Sequence, residues 1–290
     1  MMKVLMIGDS HVGKTTYMAA MYKLMADDDK ICIRANNSED AKTLERFGEE
    51  LFSRGIYPDK TALKSNYRFS LDIRSNSVQD FHFFYFSWID SPGEAIYQRT
   101  TEPIPAELAR DLNEVDSLVV FLDFTTLNAQ ENSKVMRQWN RIKQFMLKFA
   151  GRAREDQPLT LTIILTKADV DVDFDLENAP VWNKLCEFIN SIRNNQSLFG
   201  MLALSGINQQ SLGNVYFTFM YSMLMGMLNE AYRQIKIIEN RTFLERLKYM
   251  FIDDQTMNRL NLLKAYLEVF EKQIKEYSGF GEDKGGYILF

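Results

Sequence analysis

The fold of this chain is decided by a stretch near its start, Gly8-Asp9-Ser10-His11-Val12-Gly13-Lys14-Thr15. The stretch completes the pattern GxxxxGK(S/T), follows the apolar run 3–7 and opens a helical run that extends to residue 25. Glycines at both ends let the backbone curl around an anion, and successive N–H groups at the helix N-terminus present positive potential to it. The sequence therefore predicts a phosphate-binding loop in which Lys14 contacts the β and γ phosphates and Thr15 offers its hydroxyl to Mg²⁺.

Apolar patterns of strand length and helix length alternate along the rest of the chain. Strands separated by helices imply βαβ units. The short connection between runs 67–73 and 81–89 implies an antiparallel hairpin, which we expect at one edge of the sheet. The other strands are predicted at 3–7, 117–124, 159–165 and 200–204, and helices at 14–25, 38–54, 133–151, 179–194 and 214–240. The predicted class is α/β, a mostly parallel sheet with flanking helices.

We predict two units along the chain, a nucleotide-binding domain over residues 1–240 and a helical extension with a tail over 241–290. The extension carries a heptad-like apolar stripe at Leu260, Leu263, Leu267, Phe270, Ile274 and Tyr277. This stripe packs either on the chain's own body or against a partner or a second copy of the chain. The apolar run 215–228 is shorter than the ~20 residues of a membrane-spanning helix, so no transmembrane segment is predicted.

The composition is that of a folded protein with a sizeable core, because 46% of the residues are hydrophobic and 13% are aromatic. The formal charge of −5, without a long run of like charge, supplies no basic surface, so no nucleic-acid partner is expected. Cys32 and Cys186 lack metal-ligand spacing and indicate a reducing compartment. The first strand begins almost at the initiator and leaves no room for a signal peptide, so we expect a cytoplasmic location.

Two later strand ends carry further patterns. Residues 88–94, Trp-Ile-Asp-Ser-Pro-Gly-Glu, contain DxxG, and residues 166–169, Thr-Lys-Ala-Asp, contain xKxD. Together with the phosphate loop, in this order and strand context, they resemble the Ras-like and translation-factor-related P-loop GTPases. The long insert before Thr61, the turn Gly-Ile-Tyr-Pro-Asp-Lys-Thr at 55–61 and the Asp-Ser-Pro-Gly-Glu loop are also similar to the bacterial double-GTPase group. That placement would make this chain one member of a larger assembly.

The resemblance implies how the phosphates of GTP or GDP and the Mg²⁺ ion are held. Asp90 would hold Mg²⁺ through water, and the Gly93 N–H would meet the γ phosphate, so that this loop moves when the phosphate leaves. For the first switch the family needs a threonine between the first helix and the second strand. Thr61 is the best candidate for this Mg²⁺ ligand, ahead of Thr43, which falls in a predicted helix.

The resemblance also implies selection of guanine. Lys167 would lie along the base and ribose, and Asp169 would accept hydrogen bonds from the N1–H and the 2-amino group of guanine. Adenine lacks both donors, and a hydrogen bond to a charged acceptor is worth ~1.5–3 kcal/mol. Ser205 and Gly206, at the end of the last predicted strand, stand where the family places a weak base-binding loop. Thr166 opens the xKxD pattern and is included in the site.

The sequence departs from the family at Glu94, where Ras-like members carry a glutamine that orients the attacking water. An ionised glutamate only accepts hydrogen bonds and repels the γ phosphate, so slow intrinsic hydrolysis is expected. The predicted function is a GTP-dependent switch whose effector or regulatory partner binds the switch loops and the C-terminal helices. Two alternatives stay open, a P-loop ATPase and a nucleotide-dependent scaffold that barely hydrolyses GTP.

The predicted site follows from these assignments. The catalytic residues are Lys14, Glu94 and Thr61, and the metal ligands are Thr15, Thr61 and Asp90. The nucleotide-binding residues are Gly8, Asp9, Ser10, His11, Val12, Gly13, Lys14, Thr15, Thr16, Asp90, Gly93, Thr166, Lys167, Asp169, Ser205 and Gly206.

Overall fold

The computed structural model describes most of the first two thirds of the chain and one strand near its end. The described residues are 1–26, 31–58, 65–75, 78–93, 101–126, 133–154, 159–167, 180–192, 195, 197–205 and 287–289. The strands are β1 Met2–Gly8, β2 Ile31–Ala35, β3 Ser65–Ser75, β4 Val78–Asp90, β5 Ser117–Asp123, β6 Leu159–Thr166, β7 Leu198–Leu204 and β8 Tyr287–Leu289. The helices are α1 Lys14–Ala26, α2 Ser38–Arg54, α3 Ala106–Glu114, α4 Ser133–Ala150 and α5 Pro180–Ile192.

The strands form one sheet in the order β2-β3-β4-β1-β5-β6-β7-β8. Its centre is parallel, because β1 pairs in parallel with β4 and β5, and β6 pairs in parallel with β5 and β7. The predicted class, a mostly parallel sheet with flanking helices, is confirmed. The predicted antiparallel hairpin is confirmed as β3 and β4, but its expected position at the edge was wrong, because β2 pairs with the outer side of β3.

The hydrophobic core lies on both faces of the sheet. Successive side chains of a strand point to opposite faces, so Val4 and Met6 join one cluster, with α1 and α2, while Leu5 and Ile7 join the other. Helices α3, α4 and α5 cover the second face. Every residue of β6 is buried, as expected for a parallel strand covered on both sides. The loops at the ends of these strands are therefore held by a rigid sheet.

Helix α2 has a capping residue at each end. The Asn37 side chain accepts a hydrogen bond from the Glu39 N–H at 2.9 Å and caps the N-terminus. Gly55 adopts a left-handed conformation with φ 64° after the last turn. The chain then continues toward Thr61, which lies outside the described residues.

Two strands and one helix were not predicted from the sequence. β2 is only five residues long, α3 follows Pro105 without a side-chain cap, and β8 comes from the tail and pairs antiparallel with β7. The rest of the predicted extension 241–290, its apolar stripe and the helix predicted at 214–240 fall outside the described residues. Within the described ranges, no helix combines the length and apolar character that a membrane crossing requires.

Candidate functional site

The predicted site residues come from strand ends that meet at one edge of the sheet. The parallel strands β1, β4, β5, β6 and β7 run in the same direction, so their carboxyl ends lie side by side. In this type of sheet ligands bind outside the carboxyl ends of the strands. The phosphate loop follows β1, the DxxG residues begin at the end of β4, and the xKxD residues begin at the end of β6.

The phosphate loop has the curled backbone that its glycines predict. Gly13 has a φ of 96° and His11 a φ of 63°, so the left-handed conformation occurs twice in the loop. A Cβ added at Gly8 would lie 2.8 Å from Val12 Cγ1 and 2.9 Å from the Phe121 carbonyl oxygen, which leaves space only for glycine. The Tyr17 N–H donates to the Gly13 carbonyl at 2.8 Å and begins the hydrogen-bond ladder of α1.

Lys14 lies over this loop with only 6% of its surface exposed. Its ammonium nitrogen donates to the carbonyls of Gly8 and Asp9, each at 3.1 Å. A cation buried against the loop offers a fixed positive charge to an anion that the same loop cradles. The neighbouring Thr16 is half-buried on the first turn of α1, and His11 is exposed.

Thr15 and Asp90 meet although 75 positions separate them. The Thr15 hydroxyl donates to the Asp90 carboxylate at 3.1 Å, and Asp90 is 1% exposed. Burial raises the pKa of the nearby Tyr67, its hydrogen bond with Ser65 lowers that pKa, and the negative charge of Asp90 raises it further. The contact therefore places a hydroxyl and a buried carboxylate together beside the phosphate loop.

The DxxG loop packs directly against the phosphate loop. The Ser91 N–H donates to the Met6 carbonyl at 3.2 Å, which fixes the start of the loop on β1. A Cβ added at Gly93 would lie 2.3 Å from the Ser10 backbone nitrogen and 2.7 Å from the Ser10 hydroxyl oxygen. That oxygen is buried and has no hydrogen-bond partner among the described residues. Only a glycine allows the two loops to lie this close.

Thr166 ties the xKxD loop to the phosphate loop. Its hydroxyl oxygen lies 2.6 Å from the Val12 carbonyl oxygen, to which it donates, and 3.2 Å from the Leu122 carbonyl oxygen. The Thr166 side chain also lies against Gly13, where an added Cβ would be 3.8 Å from its methyl carbon. The first residue of the xKxD pattern is therefore a support for the phosphate loop.

Lys167 is held in place by a residue that the sequence patterns did not identify. Its backbone is left-handed, with φ 59°, and its ammonium group forms an ion pair with Asp123 at 2.5 Å. The other oxygen of the Asp123 carboxylate accepts from the Thr125 N–H at 3.0 Å and from the Thr125 hydroxyl at 2.6 Å. The position of Asp123 at the end of a predicted strand, on the same edge as the motifs, was a signal that could have found it.

A second such residue is Gln138 on α4. Its side-chain amide donates to the Asp9 carboxylate at 2.6 Å across 129 positions, and no sequence pattern marks it. Gln138 also lines a cavity of about 210 Å³ on the α4 side of the phosphate loop, below the ~300–1,000 Å³ of typical small-molecule pockets. The lining combines the residues Asp9, Ser10, His11, Val12, Phe121, Leu122, Asp123, Thr126, Gln138, Trp139, Ile142, Lys167 and Val181.

The structure thus brings together the phosphate loop, Thr15 with Asp90, Gly93, and Thr166 with Lys167. Ser205 is buried just beyond β7, where its N–H donates to the Leu165 carbonyl at 2.8 Å. Four predicted site residues lie outside the described residues, namely Thr61, Glu94, Asp169 and Gly206. Their assignments stay predictions.

The sequence that forms this site matches a known protein family. A family model described as Double-GTPase 1 matches residues 5–199, whereas no curated protein sequence matches. One similar solved structure is the signal recognition particle receptor SRb-GTP/SRX complex of Chaetomium thermophilum. The identity is 13%, the match covers 72% of this chain and 91% of that chain, and the TM-score is 0.43. Another is the ADP-ribosylation-factor-like small COPII coat GTPase of Encephalitozoon cuniculi in complex with GDP, with 10% identity, coverage of 79% and 81%, and a TM-score of 0.39.

These structural likenesses are too distant to assign an activity. The family model covers more than half of the chain and spans the phosphate loop, the DxxG loop and the xKxD loop. On that match, the chain belongs to the Double-GTPase 1 family and binds guanine nucleotides as a GTPase-family protein.

Proposed function

We propose that this chain binds GTP and GDP together with Mg²⁺, hydrolyses GTP slowly, and acts as a switch that an effector or regulatory protein reads. The observation that carries the proposal is the contact between Thr15 and Asp90. It joins the residue that follows the phosphate-loop lysine to the first residue of the DxxG pattern, and both lie beside a loop built for phosphate.

The residues present fit a magnesium ion. Mg²⁺ prefers hard oxygen ligands and is usually bound by one or two protein groups plus substrate phosphates. The Thr15 hydroxyl and the buried Asp90 carboxylate are such oxygens, 3.1 Å apart. Thr15 would bind the ion directly, Asp90 would hold it through water, and Thr61 would add a ligand from the first switch. The ion would offset the charge of the β and γ phosphates.

The packing of Gly93 on Ser10 supports a switch. The two loops are close enough that a single added carbon would overlap the Ser10 backbone nitrogen. A γ phosphate held by the phosphate loop and by the Gly93 N–H would therefore set the conformation of residues 91–93, and its loss would release them. A partner that contacts these residues would distinguish GTP from GDP.

Few side chains of this protein would take part in the hydrolysis of GTP. Lys14 would stabilise the charge that develops on the transferred phosphoryl group. Glu94 replaces the glutamine that orients water in Ras-like members, so we expect slow turnover unless a partner supplies the missing group.

Guanine selection would rest on Asp169, with Lys167 against the base and Ser205 and Gly206 at the base loop. Two features support an ordered base site. Asp123 holds the Lys167 side chain, and Thr166 connects the same loop to the phosphate loop through Val12. A direct hydrogen bond therefore joins the loop proposed to bind the base to the phosphate loop.

The first test is isothermal titration of nucleotide-stripped protein with GDP, GTP and ATP, each with and without Mg²⁺. We expect guanine-selective binding that tightens with Mg²⁺. ATP affinity equal to GTP affinity would favour the P-loop ATPase alternative. Asp169→Asn should weaken GTP binding and favour xanthosine triphosphate, and unchanged GTP affinity in this variant would remove the guanine assignment.

A second test isolates the metal site. Thr15→Val should lose most of the Mg²⁺ dependence of binding, whereas Ser53→Ala, which removes an exposed hydroxyl on α2, should keep it. Phosphate release should be slow in the purified protein. Turnover at ordinary enzyme rates without a partner would contradict the switch proposal, and tight GTP binding with no turnover would favour the scaffold alternative.

A further inference from the structure

We propose that Gln138 is a positioning residue of the phosphate site. It holds the Asp9 carboxylate on the α4 side of the loop, away from the phosphates of a bound nucleotide. This inference rests on the proposed function, because it concerns how the same loop accepts a nucleotide diphosphate. It adds a residue that belongs to no motif of the sequence.

Asp9 raises an electrostatic problem for the loop. It is the second residue of a loop that must bind an anion, and its side chain brings a carboxylate beside the phosphates. Like charges at close range repel each other, and the repulsion is strong where water is excluded. A carboxylate that rotated toward the phosphates would therefore weaken binding.

The structure shows what prevents that rotation. One Asp9 carboxylate oxygen accepts from the Gln138 side-chain amide at 2.6 Å. The other accepts from the Ser10 N–H at 2.6 Å. Both contacts are short, and each carboxylate oxygen accepts one of them. With its two oxygens held in different directions, the carboxylate has one orientation.

Gln138 itself stands on a fixed support. The next residue, Trp139, is buried with its ring edge-on to Phe188 of α5, the ring centroids being 6.3 Å apart. One turn further along α4, Arg141 is fully buried and donates to the carbonyls of Glu102 at 2.9 Å and Pro103 at 3.2 Å. These contacts anchor α4 in the turn that follows the amide that reaches Asp9.

The chemistry of the glutamine suits this task. Its amide donates a hydrogen bond without adding a charge. A glutamate at position 138 would place a second carboxylate against Asp9, and an alanine would leave the carboxylate held by the Ser10 N–H alone. These two changes therefore perturb the same contact in different ways.

The experiment is a double-mutant cycle on GDP binding with Gln138→Ala, Asp9→Asn and the double variant, measured by isothermal titration at fixed Mg²⁺ and salt. Gln138→Ala should raise the GDP dissociation constant about tenfold in the natural background, since one hydrogen bond to a charged group is lost. In the Asp9→Asn background the same change should have less than a twofold effect. Asn140→Ala, at an exposed position of the same helix, is the matched control.

A second pair of variants separates positioning from a purely structural role. In Gln138→Glu the amide donor is lost and a second carboxylate faces Asp9, so GDP should bind more weakly than to Gln138→Ala. Adding Asp9→Asn to Gln138→Glu places an amide opposite a carboxylate again, with the donor and acceptor exchanged, so GDP affinity should recover. A double variant that binds GDP no better than Gln138→Glu alone would overturn the proposal, even if Gln138→Ala fails to fold.

The outcomes also separate this proposal from the proposed function. Natural protein that binds neither GDP nor ADP would overturn both. Equal binding of GDP and ADP with the Asp9–Gln138 coupling intact would overturn guanine selectivity alone. Selective GDP binding with additive effects of the two substitutions would overturn only the role of Gln138.

Discussion

Replacing Thr166 with valine should loosen the phosphate loop without changing the shape of the core. The substitution keeps the branched side chain and removes the hydroxyl that donates to the Val12 carbonyl at 2.6 Å. Val12 stands between His11 and Gly13, the two left-handed residues of the loop. The loss therefore falls on the part of the backbone that must stay curled around the phosphates.

The magnitude follows from the burial of the lost partner. A buried polar group left without its hydrogen bond costs ~1–3 kcal/mol, and the apolar γ-methyl of valine offsets part of this. We expect the unfolding free energy of the nucleotide-free protein to fall by about 1–2 kcal/mol, and the GDP dissociation constant to rise up to about tenfold. Thr166→Ser, which keeps the hydroxyl and loses a methyl group, should bind GDP more tightly than the valine variant.

The assays are urea denaturation without nucleotide and isothermal titration with GDP. A valine variant with unchanged stability and unchanged GDP affinity would refute the view that Thr166 supports the loop. A serine variant that binds GDP as weakly as the valine variant would show that the methyl group, packed near Gly13, contributes as much as the hydroxyl.

Three further predictions concern other contacts. Gly93→Ala should lower the free energy of unfolding by more than ~2 kcal/mol in urea denaturation, because the added Cβ would lie 2.3 Å from the Ser10 nitrogen. Its control is Gly55→Ala, where the Cβ would enter open space but the backbone is left-handed, and which should lower it by only about 1 kcal/mol. Arg141→Met should lower the free energy of unfolding by ~1–3 kcal/mol in the same assay, because two backbone carbonyls lose their donor. Burial lowers the pKa of the guanidinium, so removing its buried charge offsets part of this loss. Burial raises the pKa of the Cys186 thiol. Its alkylation by iodoacetamide at pH 8 should therefore be slower than the alkylation of free cysteine, and should become faster as the pH rises. A rate equal to that of free cysteine would contradict this prediction.

The elements predicted well from the sequence are those with local signals. Helix α2 has the predicted bounds, 38–54, because Asn37 caps its start and Gly55 ends it. β2 was missed because five residues carry little periodic signal, and the strand forms by pairing with β3, more than thirty positions away. Non-local pairing is invisible to a pattern read along the chain.

The same distinction holds for the site. The motifs located Lys14, Thr15 and Asp90, because glycine and lysine spacing reflects a backbone shape that phosphate requires. Asp123 and Gln138 were not predicted to be part of it, since their roles depend on which helix packs against which loop. Such supporting contacts are set by tertiary packing and have no spacing rule.

The pairing of β8 with β7 gives the outer edge of the described sheet a strand that comes from far along the chain. Roughly 80 positions of sequence separate the end of β7 from the start of β8. The three-residue strand offers only a few hydrogen bonds, each worth ~0.5–1.5 kcal/mol net. We therefore expect the β7 amides on this edge to exchange their hydrogens faster than the amides of β6, which pairs with longer strands on both sides. Any molecule that holds β8 against β7 would slow that exchange, next to the strand that leads into the xKxD loop.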